Sequence, residues 1–275
     1  MAAATHGANV WAALASVRAK NPLVQCIANY VSMDLAANTL LAAGASPAMV
    51  HSAEEVEEFI QIAGALSVNI GTLSPPWVEG MRRAIAGAKE AGKPWVLDPV
   101  GVGATTYRTK ICQELIAMGP TVIRGNASEI LAAAGAATEA TRGVDSSAAS
   151  TDALSAAKQL ATACGSVVAV SGAIDLITDG RRVLRVANGD PLLQKVTATG
   201  CSVTALIAVF LAANPELQPL EAAAYTLAYF GLAAQVAVEA HPGGPGTFRA
   251  HFLDALYALG EETVTQGALV SEDPL

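Results

Sequence analysis

The sequence predicts an α/β fold, with a mostly parallel sheet flanked by helices. Short runs rich in β-branched residues alternate with alanine-rich helical stretches, and many of these stretches end at a glycine. Such alternation is typical of parallel βαβ units. Neither a solenoid-type repeat nor a low-complexity linker interrupts the 275 residues, so we expect a single domain over residues 1–275.

The first half of the chain shows the clearest alternation. The strands predicted there are 23–27, 47–50, 66–70, 95–98 and 121–124. The helices that follow four of them are expected to end at Gly44, Gly92, Gly119 and Gly135. A further helix is expected over 52–63, where Ser52 and Glu55 have the spacing of a capping box.

The second half departs from this alternation. Segment 136–150, rich in alanine, threonine and serine, predicts a long loop. A strand at 167–170 precedes two strands at 174–178 and 183–187, which an Asp-Gly turn joins into a predicted hairpin. The helices predicted in this half are 152–163, 201–213, 220–239 and 246–259.

The composition excludes several classes of protein. Apolar residues make up 52% of the chain and charged residues 15%, and the formal net charge is -8. An ordinary soluble domain carries about 25% charged residues, so this chain is poor in charge and can bury a sizeable core, which excludes disorder. Because the few basic residues are scattered, there is no electrostatic footprint for nucleic acid, and we expect no nucleic-acid partner.

The mean hydropathy of +0.41 raises the question of membrane spans. Stretches 196–215 and 222–238 carry no charge and approach the roughly 20 residues that a span needs. Their polar residues and alanines favour buried core helices, so we expect no membrane contact. The N-terminus lacks a basic signal region, and the four cysteines form no CxxC pair, which favours a reducing, cytoplasmic location.

Standard nucleotide-binding motifs are not supported. Residues 87–93 spell GxxxxGK, but Pro94 follows where a P-loop needs serine or threonine. The match also lies at a helix end that runs into a strand, which is the reverse of the P-loop order. The Gly-Val-Gly at 101–103 lacks the third glycine of a dinucleotide fingerprint.

Polar groups at the carboxyl ends of predicted strands remain, and open α/β sheets bind ligands there. The loop at 197–202 is rich in small residues and enters an apolar helix. Its backbone N–H groups and the helix N-terminus could together stabilise a transferring phosphoryl group. The alternative is a threonine-capped helix start without an anion site.

Three charged residues also follow predicted strands. Arg124 ends a strand beside a helix N-terminus, where an arginine is well placed to bind phosphate. Asn126 and Glu129 have the spacing of an N-cap and its N3 partner, which alone would explain both, or Glu129 holds water on a magnesium ion. Asp98 precedes a glycine turn and either caps that turn or binds magnesium.

Six segments jointly resemble the hydroxyethylthiazole kinase family. They are Asn29-Tyr30-Val31, Ala45-Ser46-Pro47-Ala48-Met49, Asn69-Ile70-Gly71-Thr72, Asp98-Pro99-Val100-Gly101, Arg124-Gly125-Asn126-Ala127-Ser128-Glu129 and Thr199-Gly200-Cys201. The resemblance covers nearly the whole chain. It implies a ribokinase-like three-layer sandwich with a mostly parallel central sheet, and ATP-dependent phosphorylation of the primary alcohol of 4-methyl-5-(2-hydroxyethyl)thiazole in thiamine salvage.

The resemblance also implies cofactors, assembly and site residues. It implies a magnesium ion, and a homotrimer whose thiazole sites lie between subunits. The implied site residues are Asn29, Met49, Ala198 and Gly200 for the substrate, Arg124 and Ser171 for ATP, Asp98 and Glu129 for magnesium, and Cys201 for catalysis. Cys201 occupies the position where ribokinase relatives place an aspartate base.

Two residues need separate comment. Ala198 stands where the family usually has glycine, and its Cβ would strain a left-handed backbone. Cys201 at a helix N-terminus is expected to have a lowered pKa and to accept the proton of the alcohol; the alternative is a buried cysteine that acts only as a small apolar side chain. Two other functions stay open: a kinase for another small alcohol such as a hydroxymethylpyrimidine, and a non-catalytic thiazole- or nucleotide-binding protein. Retention of Asp98, Arg124 and Glu129 argues against the second.

Overall fold

A computed structural model describes residues 2–137, 149–240 and 243–273. Nine strands in these ranges form one sheet in the order β2-β1-β3-β4-β5-β6-β7-β8-β9. The strands are β1 (Leu23–Ile27), β2 (Ser46–Ala48), β3 (Ala65–Asn69), β4 (Trp95–Asp98), β5 (Val122–Asn126), β6 (Val167–Ser171), β7 (Asp175–Thr178), β8 (Val183–Val186) and β9 (Val270–Glu272). Strands β1 to β6 pair in parallel, whereas β7, β8 and β9 continue the sheet in antiparallel pairs.

Helices cover both faces of the sheet. They are α1 (Ala2–Lys20), α2 (Met33–Ala43), α3 (Val56–Ile62), α4 (Pro75–Glu90), α5 (Thr106–Ala117), α6 (Ala127–Ala137), α7 (Ala149–Cys164), α8 (Thr199–Ala213), α9 (Pro219–Ala240), α10 (Pro245–Ala258) and α11 (Glu261–Gly267), with a 3₁₀ helix at Pro191–Lys195. Helices α1, α2 and α8 to α11 pack on one face, and α3 to α7 pack on the other.

Each face of the sheet has its own apolar core. Successive side chains of a strand point to opposite faces. In β4, for example, Val96 belongs to the core under α8 and α9, whereas Trp95 and Leu97 belong to the core under α4 and α5. Two cores separated by one sheet make three layers, so the predicted three-layer α/β architecture is confirmed.

The capping box predicted at Ser52 is wrong. Helix α3 begins four residues later, at Val56, and its N-cap Glu55 makes no side-chain capping bond. The N–H groups of Glu55 and Val56 both donate to the Ser52 carbonyl at 3.1 Å, so residues 52–55 form a turn before the helix. The Ser52 hydroxyl bonds to Glu54 instead.

The rejection of a P-loop at 87–93 is confirmed. Gly87 lies inside α4, and Lys93 lies just before β4. The Lys93 ammonium donates to the carbonyls of Ile60, at 2.8 Å, and of Gln61 and Ala63. Lys93 therefore caps the C-terminus of α3, where the helix dipole favours a cation.

Helices α1 and α11 and strand β9 lie where the sequence predicts no element. Helix α1 is fixed by contacts near the other end of the chain: Arg18 donates to the carbonyls of Leu256, Tyr257 and Leu259 at the end of α10. The predicted loop at 136–150 lies mostly outside the described residues. Within the described ranges, no helix is both long enough and apolar enough to cross a membrane.

Candidate active site

A cavity of about 650 Å³ opens where the carboxyl ends of β4, β5 and β6 face the N-terminus of α8. Seven of the nine predicted site residues line it, namely Asp98, Arg124, Glu129, Ser171, Ala198, Gly200 and Cys201. The other two, Asn29 and Met49, are not among its lining residues. Asn29 Nδ2 lies 3.5 Å from the sulfur of Cys201, which lines the cavity. Met49 packs against the core on the α8 side of the sheet.

The first turn of α8 exposes backbone donors. The first helical bond runs from the Ser202 N–H to the Ala198 carbonyl at 2.9 Å, so the N–H groups of Thr199, Gly200 and Cys201 have no acceptor within the helix. The Thr199 hydroxyl donates backwards, to the Leu193 carbonyl at 2.9 Å, and caps no N–H. The threonine-capped alternative is therefore wrong, and three N–H groups remain free of helical bonds for an anion.

Ala198 adopts the left-handed backbone conformation in which its Cβ is expected to cause strain. Its φ of 70° and ψ of 2° lie in the left-handed region, where a Cβ crowds the following carbonyl. The residue immediately precedes the three free N–H groups, so this conformation sets the direction in which they point.

Replacing Ala198 with glycine should relieve this strain. We expect Ala198→Gly to raise the free energy of unfolding by about 1 kcal/mol, measured by urea denaturation. Ala86→Gly is the matched control, because Ala86 is exposed within α4 and glycine costs about 1 kcal/mol in a helix interior. Equal destabilisation by both substitutions would contradict the assignment of strain to Ala198.

Arg124 lies between the strand ends and the first turn of α8. Its Nε donates to the Ser171 hydroxyl at 2.9 Å. A Cβ on Gly200 would lie 2.7 Å from Arg124 Nη1, so the guanidinium lies directly against the helix backbone at Gly200 and a side chain there would displace it. Its positive charge opposes the rise in the pKa values of the two neighbouring carboxyls, Asp98 and Asp175.

Asp98 is a buried acid at the end of β4. Burial raises its pKa to about 6; the nearby Arg124 lowers it, whereas the nearby Glu129 raises it. Its Oδ2 accepts a hydrogen bond from Asn69 Nδ2 at 2.9 Å. Near neutral pH the carboxyl group is therefore mostly ionised, because its pKa lies only slightly below the pH.

Asn69 connects Asp98 to the opposite side of the site. Its Oδ1 accepts hydrogen bonds from Asn29 Nδ2 at 2.8 Å and from the Gly71 N–H at 2.9 Å. The same Asn29 nitrogen lies 3.5 Å from Cys201 Sγ. We define this Asp98–Asn69–Asn29–Cys201 chain as the amide relay. Asn69 has no predicted role; the sequence places it near the end of the predicted strand 66–70, and the sheet then pairs it with Asp98.

The lowered pKa predicted for Cys201 is wrong. Burial and, to a smaller extent, the neighbouring Asp98 raise the pKa of its thiol to about 11, whereas Asn69, Asn29 and Arg124 only partly oppose this rise. Desolvation and a nearby negative charge outweigh the N-terminus of α8. Cys201 is therefore a neutral thiol near neutral pH.

Glu129 caps α6 and also holds the turn after β4. Its N–H donates to Asn126 Oδ1 and its Oε2 accepts the Asn126 N–H, both at 2.9 Å, so the predicted N-cap and N3 pair is confirmed. Its Oε1 accepts the Gly101 N–H, also at 2.9 Å. Each carboxylate oxygen still has a free lone pair, so capping does not use up its capacity to accept hydrogen bonds or bind a cation.

Asp175 is an acid that the sequence analysis did not single out. It lines the cavity, its Oδ1 accepts the Gly172 N–H at 2.9 Å, and burial raises its pKa to about 6. The only sequence signal was its place at the start of the predicted hairpin, directly after the turn that follows Ser171.

Comparisons with known proteins identify the family of this chain. The sequence profile of the hydroxyethylthiazole kinase family matches residues 14–262. The chain is 55% identical over 255 residues to a hydroxyethylthiazole kinase of Cereibacter sphaeroides, covering 93% of this chain and 95% of that protein. It is 54% identical over 271 residues to that of Zea mays, covering 98% and 95%.

A solved structure supports the same conclusion. The hydroxyethylthiazole kinase protein from Pyrococcus horikoshii OT3 superposes with a TM-score of 0.89 at 41% identity, covering 97% of this chain and 99% of that one. This likeness confirms the fold that the sequence resemblance implies. The profile match, the relatives and the shared architecture lead to one conclusion: the chain belongs to the hydroxyethylthiazole kinase family.

Proposed function

We propose that the protein transfers the γ-phosphoryl group of ATP to the primary hydroxyl of 4-methyl-5-(2-hydroxyethyl)thiazole, a step of thiamine salvage. The family and the names of its relatives support this alcohol as the acceptor. The observation that carries the proposal is the contact between Arg124 and Gly200, which brings a guanidinium to the free N–H groups of α8 beside Asp98.

Two groups would bind the phosphates in this reaction. Arg124, held by Ser171, would contact the transferring group, and the first turn of α8 at Gly200 would supply backbone donors. Phosphoryl transfer passes through a loose transition state whose charge is spread over the equatorial oxygens, so positioning and charge neutralisation provide most of the catalysis. Ser171 holds the guanidinium and the fold fixes the N-terminus of α8, which limits the cost of reorganisation.

Asp98 and Glu129 would hold a magnesium ion, directly or through water. Within the described residues no group of three or more His, Cys, Asp and Glu side chains is arranged to hold a metal. Magnesium usually keeps several waters and needs only one or two carboxylates besides the phosphates, so this pair fits it. When bound, the ion would neutralise charge on the phosphate oxygens.

The alcohol would lie on the β1 and β2 side of Cys201, where Asn29 points, with Met49 and Ala198 nearby. Tyr30 and Val31 follow Asn29 directly, and their side chains are 70% and 61% exposed. Apolar side chains left open beside a site suit coverage by another subunit, which supports the proposed homotrimer with thiazole sites between subunits.

Free cysteines at all four positions suit a cytoplasmic protein.

Cys201 would contact the reacting hydroxyl without needing to ionise. A loose transfer requires little of a base until late in the reaction, when the hydroxyl proton can pass to an oxygen of the transferred phosphoryl group, so a neutral thiol is tolerable there. We expect Cys201→Ala to lower kcat modestly, by less than about tenfold, and Cys201→Asp to retain or raise it because a carboxylate can accept the proton. Steady-state kinetics would measure both variants. A complete loss of activity in folded Cys201→Ala would show that the thiol is an obligate base or nucleophile.

An ATP-consumption assay tests the proposed function. Purified protein with Mg²⁺ is given the thiazole alcohol, the hydroxymethylpyrimidine alcohol or no alcohol. We expect turnover that depends on the thiazole alcohol. Turnover with only the pyrimidine would identify the alternative kinase, and thiazole binding by calorimetry without turnover would identify a binding protein.

A further inference from the structure

Arg108 makes contacts that the proposed reaction leaves unexplained. It lies in the first turn of α5, and its side chain runs over Gly101, where an added Cβ would meet Arg108 Cδ at 3.5 Å. The guanidinium donates to the Val100 carbonyl at 2.8 Å, to the Gly71 carbonyl at 3.2 Å and to the Ile70 carbonyl. These carbonyls belong to two different loops, one after β3 and one after β4.

Each of these loops supplies one backbone N–H to a side chain of the site. In the loop after β3, the Gly71 N–H donates to Asn69 Oδ1 at 2.9 Å. In the loop after β4, the Gly101 N–H donates to Glu129 Oε1 at 2.9 Å. Arg108 therefore bridges the loop that orients the amide relay and the loop that orients Glu129.

Close packing around Gly71 makes the hydrogen bond from the Gly71 N–H to Asn69 sensitive to small shifts of the loop. A Cβ on Gly71 would lie 2.5 Å from Asn29 Nδ2, so the loop backbone is already packed against the amide of Asn29. Movement of this loop towards Asn29 would displace the Asn29 amide, whose nitrogen lies 3.5 Å from Cys201 Sγ. A guanidinium fork can hold two loops at once, which a single ammonium cannot do equally well.

We propose that Arg108 is a positioning residue for the phosphoryl transfer. It acts through Gly71 on the amide relay at the alcohol side and through Gly101 on Glu129 at the phosphate side. The inference rests on the proposed function for its effect on catalysis. Misplacement of a reacting group by about 1 Å can lower a rate about 100-fold, so a residue that only holds loops can have a large effect on kcat.

Kinetics of Arg108→Ala and Arg108→Lys test the catalytic consequence. We expect Arg108→Ala to lower kcat about 30-fold with less than about a threefold change in the KM for ATP, and Arg108→Lys to recover part of the loss. Millimolar guanidinium chloride should partly restore Arg108→Ala, whereas sodium chloride should not. Arg83→Ala is the matched control, because Arg83 also donates from a helix to a backbone carbonyl, that of Ala53, at 3.1 Å.

Hydrogen exchange tests the positioning itself, without substrate. We expect the Gly71 and Gly101 amides to exchange at least about tenfold faster in Arg108→Ala than in the unmodified protein, with the amides of β6 unchanged. Arg108→Lys serves for this measurement if Arg108→Ala does not fold. Unchanged exchange at both glycines, or an equal loss of kcat in Arg83→Ala, would overturn the proposal. Because exchange does not depend on the substrate, failure of the proposed function would be recognised separately.

Discussion

Replacing Arg124 with alanine is expected to lower kcat/KM for ATP about 1000-fold while the fold persists. The variant loses the cation beside Gly200 and leaves the pKa values of Asp98 and Asp175 without their opposing positive charge. Both pKa values, already about 6, should rise, so a larger share of each carboxyl is protonated at neutral pH. Steady-state kinetics with ATP as the varied substrate measure this loss.

Two further variants separate charge from geometry at position 124. Arg124→Lys keeps a cation but loses the planar fork and the Nε donor to Ser171, so we expect an intermediate loss. Arg181→Ala removes an exposed arginine of the β7–β8 turn and should leave kcat/KM within about twofold. If Arg124→Ala retained most of its activity, the phosphate-binding role of Arg124 would be wrong.

Asp98→Asn is expected to abolish most activity and at the same time to stabilise the protein. Asparagine keeps the side-chain shape and can still accept the hydrogen bond from Asn69, but it carries no charge to bind a cation. We therefore expect kcat to fall about 1000-fold or more, since a magnesium ligand and its charge are lost together. Mg²⁺-dependent ATP turnover is the measurement.

The stability gain should depend on pH. The pKa of Asp98 rises from 3.8 to about 6 on folding, so between these values the folded protein holds a proton that the unfolded chain has released. Stability consequently falls as pH rises through this window, and above about pH 6 the full penalty for burying the charge is present. Asparagine removes it, a gain on the order of 3 kcal/mol at pH 8 that shrinks towards pH 4.

Urea unfolding in EDTA at pH 8 and at pH 4 measures this difference. The solvent-exposed Asp254→Asn is the control and should change stability by less than about 0.5 kcal/mol at either pH. A destabilised Asp98→Asn at pH 8 would mean that attraction by Arg124 outweighs burial, contrary to the raised pKa of Asp98.

Local patterns predicted those elements whose ends are determined locally. Strands β1 and β4 have the predicted bounds. Helix α2 ends before Gly44, as predicted, because Gly44, at φ 95°, takes a left-handed conformation and donates its N–H to the Leu40 and Leu41 carbonyls. Helix α1 depends instead on Arg18 reaching the carbonyls at the end of α10, and such distant contacts leave no periodic signal in the sequence.

The same distinction holds for the site. Ligands bind at the carboxyl ends of strands in open α/β sheets, and this rule predicted a site that includes Asp98, Arg124 and Glu129. All three residues line one cavity. The ionisation of Cys201 could not be predicted from its place at a helix start, because the burial and the neighbouring Asp98 that raise its pKa arise only in the folded structure. The binding of magnesium and substrate by the site residues and the assembly of a trimer stay predictions.

The two outermost strands of the sheet restrict how copies of this chain can meet. Strand β2 has three residues and is centred on Pro47, which has no N–H to donate; β9 also has three residues, and its Glu272 is paired with Arg182 at 2.7 Å. Short, proline-bearing or charged border strands oppose pairing with a foreign strand. A trimer would therefore assemble through helices and loops rather than as one continuous intersubunit sheet, and concentrated protein offers little template for β-aggregation.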